Sequence, residues 1–222
     1  MGDVTADRRT GILTALLVVA FAIAMGYLEA AVVVYLEGAL SLSSIPTFPL
    51  KRDGPADFLG AIEVGRELAT LVMLVGLGLL AGRRGWEWLA WTAVAFGTWD
   101  IAYYAWLRVF TGWPTSLFDW DLLFLAPVPW IGPVLAPLLV SLALIVVGLA
   151  AGSRYRAGRD LAVGARDVAA GVAGGAVVIL SFTIDGPRIL GGGVPAAFPW
   201  PLFAAGMGLA IAGAANVLRE RP

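Results

Sequence analysis

Six long stretches of apolar residues, separated by short polar segments, dominate the pattern of the chain. Each is close to the ~20 residues that an α-helix needs to cross a bilayer. The first is too long for the apolar part of a signal peptide, so we expect it to be retained. The pattern predicts an all-α, polytopic membrane protein, a single integral domain over residues 1–222 built as a bundle of six transmembrane helices. The predicted helices cover residues 12–37, 59–81, 86–110, 129–151, 164–184 and 198–218.

A polar stripe interrupts the start of the second stretch. Glu63, Arg66, Glu67 and Thr70 follow one another at i, i+3, i+4 and i+7, so a helix places them on one face. Lipid cannot solvate a carboxylate, and such a stripe must face protein or water. Ionisable groups inside a membrane indicate either a functional site or a structural set of ion pairs.

The composition supports a membrane location and excludes several kinds of chemistry. Hydrophobic residues make up 59% of the chain and charged residues 14%, with a mean hydropathy of +0.85. The chain has no cysteine and no histidine, so we expect no disulfide, no His-ligated haem, no Fe–S cluster and no His/Cys zinc site. The chain has no basic tract of the kind that would indicate nucleic-acid binding. The excess of arginine over lysine, with many Ala, Gly and Val residues, is typical of a GC-rich bacterial genome.

The distribution of basic residues predicts the orientation. With the N-terminus in the cytoplasm, ten of the fifteen Lys and Arg residues lie in inner segments and five in outer ones. An even number of spans returns the C-terminus to the same side. The sequence therefore predicts a multi-pass protein of the bacterial inner membrane with both termini inside (N-in/C-in).

Acidic residues on three predicted helices lie at one depth. Glu29 is roughly 25 Å from the inner end of the first helix, at ~1.5 Å rise per residue. Glu67 and Asp100 are each roughly 21 Å from the inner ends of the second and third helices by the same rise. In a hydrocarbon core of ~30 Å, this level belongs to the outer half of the membrane.

The third helix adds a second polar stripe, in which Asp100, Tyr104 and Arg108 recur every four residues beside Tyr103. The acids at this level outnumber the arginines, and unpaired carboxylates in low dielectric cost several kcal/mol each. They should therefore be protonated, hydrated or bound to a cation. With oxygen ligands alone, a metal would be Ca²⁺, Mg²⁺ or Mn²⁺.

A segment rich in Pro and Trp connects the third and fourth predicted helices on the outer side. The part from 118 to 129 is too apolar for a free loop, so we expect it to lie at the outer interface as a lid over the acidic site. Asp119 and Asp121 flank Trp120 and are either ligands at the rim of this site or turn and cap residues.

The fifth predicted helix carries a small-residue face at Gly171 and Gly175, with Ala170 and Gly174 beside them, which is typical of close helix packing. This face predicts a close neighbour, either within the chain or in a second copy or another membrane partner.

Three functions fit this pattern. The first is binding of a cation, a proton or an amine-bearing solute in an outward-facing acidic site with Arg66. The second is an intramembrane enzyme that acts on an outer-leaflet lipid, with carboxylates as general acid and base. The third is a structural subunit or assembly factor, in which Arg66 only bridges Glu67 or Glu29 to Asp100. No reaction-specific motif selects among them.

The absence of native cysteine allows a direct test of the predicted orientation. In intact cells, we expect Ser44→Cys in the first outer loop to react with a membrane-impermeant maleimide. Ala157→Cys, between the fourth and fifth helices, should react only after lysis. The reverse labelling pattern would contradict the N-in orientation.

Overall fold

The computed structural model describes the backbone of residues 2–40 and 56–219, and the side chains of residues 11–36 and 60–219. In these parts the chain forms seven helices and one pair of strands. In chain order they are α1 (Gly2–Leu40), α2 (Ala56–Ala81), α3 (Glu87–Thr111), β1 (Trp120–Phe124), β2 (Trp130–Pro133), α4 (Leu135–Arg156), α5 (Ala165–Thr183), α6 (Gly186–Leu190) and α7 (Trp200–Leu218).

Five of the described helical segments are long and apolar enough to cross a membrane. They cover residues 11–36, 60–81, 135–156, 165–190 and 200–218. The predicted third span, α3, is not among them, because three charged residues and six Trp or Tyr residues lower its hydropathy. The chain is thus a helical protein with a multi-pass membrane pattern, and a bundle of six spans is not confirmed.

Helix α3 is the centre of the N-terminal part, since it packs along α1, α2 and α4. Trp91 and Val94 of α3 pack with Val18 and Ala22 of α1 and with Leu74 of α2 in one buried cluster. Several of its polar and aromatic side chains are buried against protein, which removes the need for a fully apolar helix; they are Glu87, Trp91, Trp99, Asp100 and Tyr104.

The segment between α3 and α4 contains a β-hairpin, so the prediction of an all-α fold is wrong here. Strand β1 pairs antiparallel with β2, with Asp121 opposite Gly132 and Leu122 opposite Ile131. The predicted helix start at residue 129 is also wrong. Helix α4 begins at Leu135, after the last proline of the strand, and only Pro137 lies in its first turn, where proline is tolerated.

The arginine-rich turn after α2 and the arginine-rich end of α4 meet on one side of the fold. Arg84, in the turn after α2, donates to the Tyr155 carbonyl oxygen near the end of α4 at 2.8 Å. The backbone N–H of Trp86 donates to the Tyr155 hydroxyl at 3.0 Å. In the N-terminal third of α1, Gly11 lies against the Arg156 side chain of α4.

Helices α5 and α7 form a close pair through the predicted small-residue surface, at Ala170 and Gly174 rather than at Gly171 and Gly175. A Cβ at Gly174 would lie 2.5 Å from the Ala210 nitrogen and 2.7 Å from the Gly206 oxygen. A Cβ at Gly171 or Gly175 would meet nothing within 4 Å in the described structure. Within the chain, the close neighbour of this surface is therefore α7.

Gly174, which contacts α7, and Gly175, which does not, supply a matched pair of variants. We expect Gly174→Ala to destabilise the protein by about 1–3 kcal/mol, because the methyl group overlaps the α7 backbone. Gly175→Ala should leave stability almost unchanged. Thermal unfolding of the two variants in the same detergent compares them, and equal midpoints would contradict the close α5–α7 contact.

Candidate functional site

A cavity of about 300 Å³ lies among α1, α2, α3 and strand β1. We call it the polar cavity. It brings together eight of the ten residues that the sequence singled out as candidate site residues. They are Glu29, Glu63, Arg66, Glu67, Asp100, Tyr103, Tyr104 and Asp121.

Arg66 holds the α1–α2 side of the polar cavity. Its guanidinium forms ion pairs with Glu29 of α1 and with Glu63 one turn earlier on α2. The Arg66 Nε lies 3.1 Å from each carboxylate oxygen of Glu63. Thr70 donates its hydroxyl hydrogen to the second oxygen of Glu29. Among the described residues, the expected bridge from Arg66 to Asp100 is therefore not formed.

The hairpin closes another side of the polar cavity through its backbone. The N–H of Leu125, directly after β1, donates to Glu67 Oε1 at 2.8 Å. Residues 121–125 line the cavity. The segment predicted as a lid is thus in contact with an acid of α2, and it is held there by a main-chain hydrogen bond.

Helix α3 supplies two buried polar contacts. Ser141 of α4 donates to Asp100 Oδ2 at 2.8 Å. The Tyr104 hydroxyl donates to Asp121 Oδ2 at 2.6 Å, which joins α3 to the hairpin. The Leu122 N–H donates to the other Asp121 oxygen at 2.8 Å. Burial raises the pKa of Asp121, against the opposing effect of these two hydrogen bonds.

The polar cavity has an excess of acids. Five carboxyl groups and one guanidinium line it, and the guanidinium pairs with two of the five. Within the described part of the chain, Glu67, Asp100 and Asp121 accept hydrogen bonds but form no ion pair. Ionising all three without a cation would carry a large desolvation cost. The cavity is therefore suited to a proton or a positively charged group.

A cluster of three or more acidic side chains is one arrangement that holds Ca²⁺, Mg²⁺ or Mn²⁺. No such group of acidic side chains occurs among residues 11–36 and 60–219. The acids of the polar cavity come from four elements, α1, α2, α3 and β1.

Two predicted site residues lie elsewhere. Arg108 donates to the Gly112 carbonyl oxygen at the end of α3. Asp119 Oδ2 accepts hydrogen bonds from the Thr115 N–H and hydroxyl at 2.7 and 2.8 Å, and from the Ser116 N–H. Burial raises the pKa of Asp119, but these hydrogen bonds and the charge of Arg108 together bring that pKa below its usual value. Asp119 is thus the turn residue of the two alternatives.

The sequence reasoning missed three parts of the polar cavity. Trp99 lines its wall, and so does the backbone of the hairpin, while Ser141 partners Asp100 from α4. Trp99 lies one residue before Asp100, and this position beside the acid could have indicated that Trp99 also lines the cavity. The hairpin contacts depend on a turn that the prediction of a helix from residue 129 had excluded.

Comparison of the chain with known protein families, with characterised proteins and with solved structures finds no match. The interpretation of the polar cavity therefore depends on its own residues.

The hydrogen bond between Tyr104 and Asp121 gives a test of the hairpin position. We expect Tyr104→Phe to destabilise the protein by about 1–3 kcal/mol, because a buried carboxyl loses its donor. Tyr35→Phe is the matched control, since Tyr35 is 73% exposed on α1. Thermal unfolding in detergent compares the two, and equal loss in both would contradict the buried bond.

Proposed function

We propose that the chain is a multi-pass protein of a bacterial inner membrane whose polar cavity binds a cation, a proton or an amine-bearing solute from the outer side. The excess of carboxyl groups around Arg66 carries the proposal. A positively charged solute would neutralise acids that the described residues leave without an ion pair, which offsets the cost of burying them.

An amine-bearing solute is the form we favour. The volume of about 300 Å³ is at the lower end of the range for small-molecule sites. An ammonium group offers several N–H donors, and Glu67, Asp100 and Asp121 offer acceptor oxygens on different walls of the cavity. The absence of a three-acid cluster in the described chain weighs against a metal ion.

The outward orientation of the cavity rests on the charge bias of the sequence. The arginine-rich turn after α2 lies against the end of α4. Glu63, at the polar cavity, is near the other end of α2. The positive-inside rule assigns that basic end to the cytoplasm. We also propose that α3 is the sixth span, since it is 25 residues long and shielded by three helices.

The ion pairs of Arg66 also support a structural role for part of the cluster. They join α1 to α2, but not to Asp100 of α3 as the structural hypothesis expects, and they leave Glu67 and Asp100 without an ion pair among the described residues. The two roles are compatible, because the pairs hold the wall of the cavity while the remaining acids face its interior.

Glu67→Gln tests the proposal with little change of shape. The glutamine keeps an oxygen for the Leu125 N–H and removes one negative charge. We expect ethanolamine to raise the unfolding temperature of the purified protein, as a ligand of the folded state does. Its affinity should fall by about tenfold or more in the variant, as for loss of a charged hydrogen bond.

Asp160→Asn is the control, because Asp160 is exposed and pairs with Arg84 at the basic end. It should bind ethanolamine like the unchanged protein. The affinity should also fall as the pH is lowered, since protons compete for the same carboxylates. Ethanolamine binding that is equal in Glu67→Gln and the unchanged protein would exclude this site.

A further inference from the structure

A second, apolar cavity of about 250 Å³ lies between α1 and α2 and shares residues with the polar cavity. We call it the lateral groove. Glu29, Arg66 and Thr70 line both cavities. The other walls of the lateral groove are apolar and include Phe21, Leu28 and Met73. The polar cavity thus adjoins a hydrocarbon-lined groove, and the Glu29–Arg66 ion pair with Thr70 lies between the two.

The lateral groove faces the lipid side of the bundle. Leu28 is 63% exposed, and Phe21 and Met73 are each a little under half exposed. Helices α1 and α2 contact each other at few points, whereas each packs along α3. The part of α1 that lines the groove runs from Phe21 to Val32, or roughly 14 to 30 Å from Ile12 at ~1.5 Å per residue.

An orphan donor lies on the wall of the polar cavity. Trp99 is only 7% exposed, and its indole N–H is the single buried side-chain polar atom in the described chain without a hydrogen-bond partner. The Tyr103 ring stacks on it, with ring centroids 6.5 Å apart, and also lines the cavity. A buried N–H without a partner costs about 1–3 kcal/mol, which an oxygen acceptor would recover.

From this adjacency we infer that the solute is a membrane amphiphile, which enters between α1 and α2 with its amine headgroup at the acids of the polar cavity and its hydrocarbon chain in the lateral groove. The inference rests on the proposed function and adds the class and the route of the solute. The carboxyl groups of the polar cavity attract the amine.

The two cavities have different energetic roles. Lipid tails are as apolar as the groove, so moving a chain from the bilayer into the groove yields little free energy. The affinity comes from the headgroup, whose charge is neutralised by the acids. The groove provides a path along which the chain remains in an apolar environment while the headgroup reaches Glu29 and Glu67.

A variant that narrows the lateral groove and leaves every acid in place tests the route of entry independently of the binding site. Ala69 lines the groove and is exposed, so Ala69→Phe fills it from the lipid side. In nanodiscs, we expect this variant to lose about tenfold or more of its affinity for hexadecylamine and to bind ethanolamine unchanged. Ala169→Phe on the exposed surface of α5 is the matched control and should bind both amines normally.

Photocrosslinking of the unchanged protein is the second measurement. Hexadecylamine with a mid-chain diazirine should label α1 between residues 21 and 32 and α2 between residues 69 and 73. Labelling confined to other helices would overturn the inference even if Ala69→Phe does not fold.

The outcomes distinguish the inference from the proposed function. If hexadecylamine binds Ala69→Phe as tightly as it binds the unchanged protein, the lateral route is wrong and the acidic site stands. If ethanolamine binds the unchanged protein and hexadecylamine does not, the solute is water-soluble and the inference is wrong. If Glu67→Gln changes the binding of neither amine, the proposed function fails, and the inference fails with it.

Discussion

The double ion pair of Arg66 is the interaction on which the shape of the site depends. Helices α1 and α2 touch each other little, and Glu29 and Glu63 reach the same guanidinium from these two helices. In a membrane, separating these charges would leave two acids and one arginine in low dielectric, which is costly. The pairing therefore fixes the spacing of α1 and α2 while both remain free to pack on α3. The gap that remains between them opens the lateral groove.

The acids of the polar cavity that form no ion pair with Arg66 among the described residues accept hydrogen bonds from neutral donors on other elements. Glu67 accepts from the backbone after β1, Asp100 from Ser141, and Asp121 from Tyr104. Each bond joins two different elements, so the network connects α2, α3, α4 and the hairpin without adding positive charge. Neutral donors position a carboxylate and leave its charge uncompensated. This is the property that a site for an ammonium group requires.

The helices and the gathering of the acids were predictable from the sequence because both follow from period and depth. A period of 3.6 residues places Glu63, Arg66, Glu67 and Thr70 on one face, and all four line the cavity. The hairpin was not predictable in the same way, because the run from residue 129 is apolar enough for a helix and only pairing with β1 decides otherwise. Pairing also decides between the two aspartates. Asp121 faces Tyr104, while Asp119 lies in a turn two residues earlier.

The hairpin that roofs the cavity also supports the last two long helices. Gly132 of β2 has no side chain, and the Phe182 ring of α5 occupies that space, since a Cβ there would lie 2.8 Å from the ring. Trp130 stacks on the same ring, with centroids 6.5 Å apart. Strand β1 lines the polar cavity and β2 contacts α5, so the hairpin contacts both halves of the chain, as α4 also does through α7. The residues that form the wall of the cavity thus belong to the same small sheet that packs on the C-terminal helices.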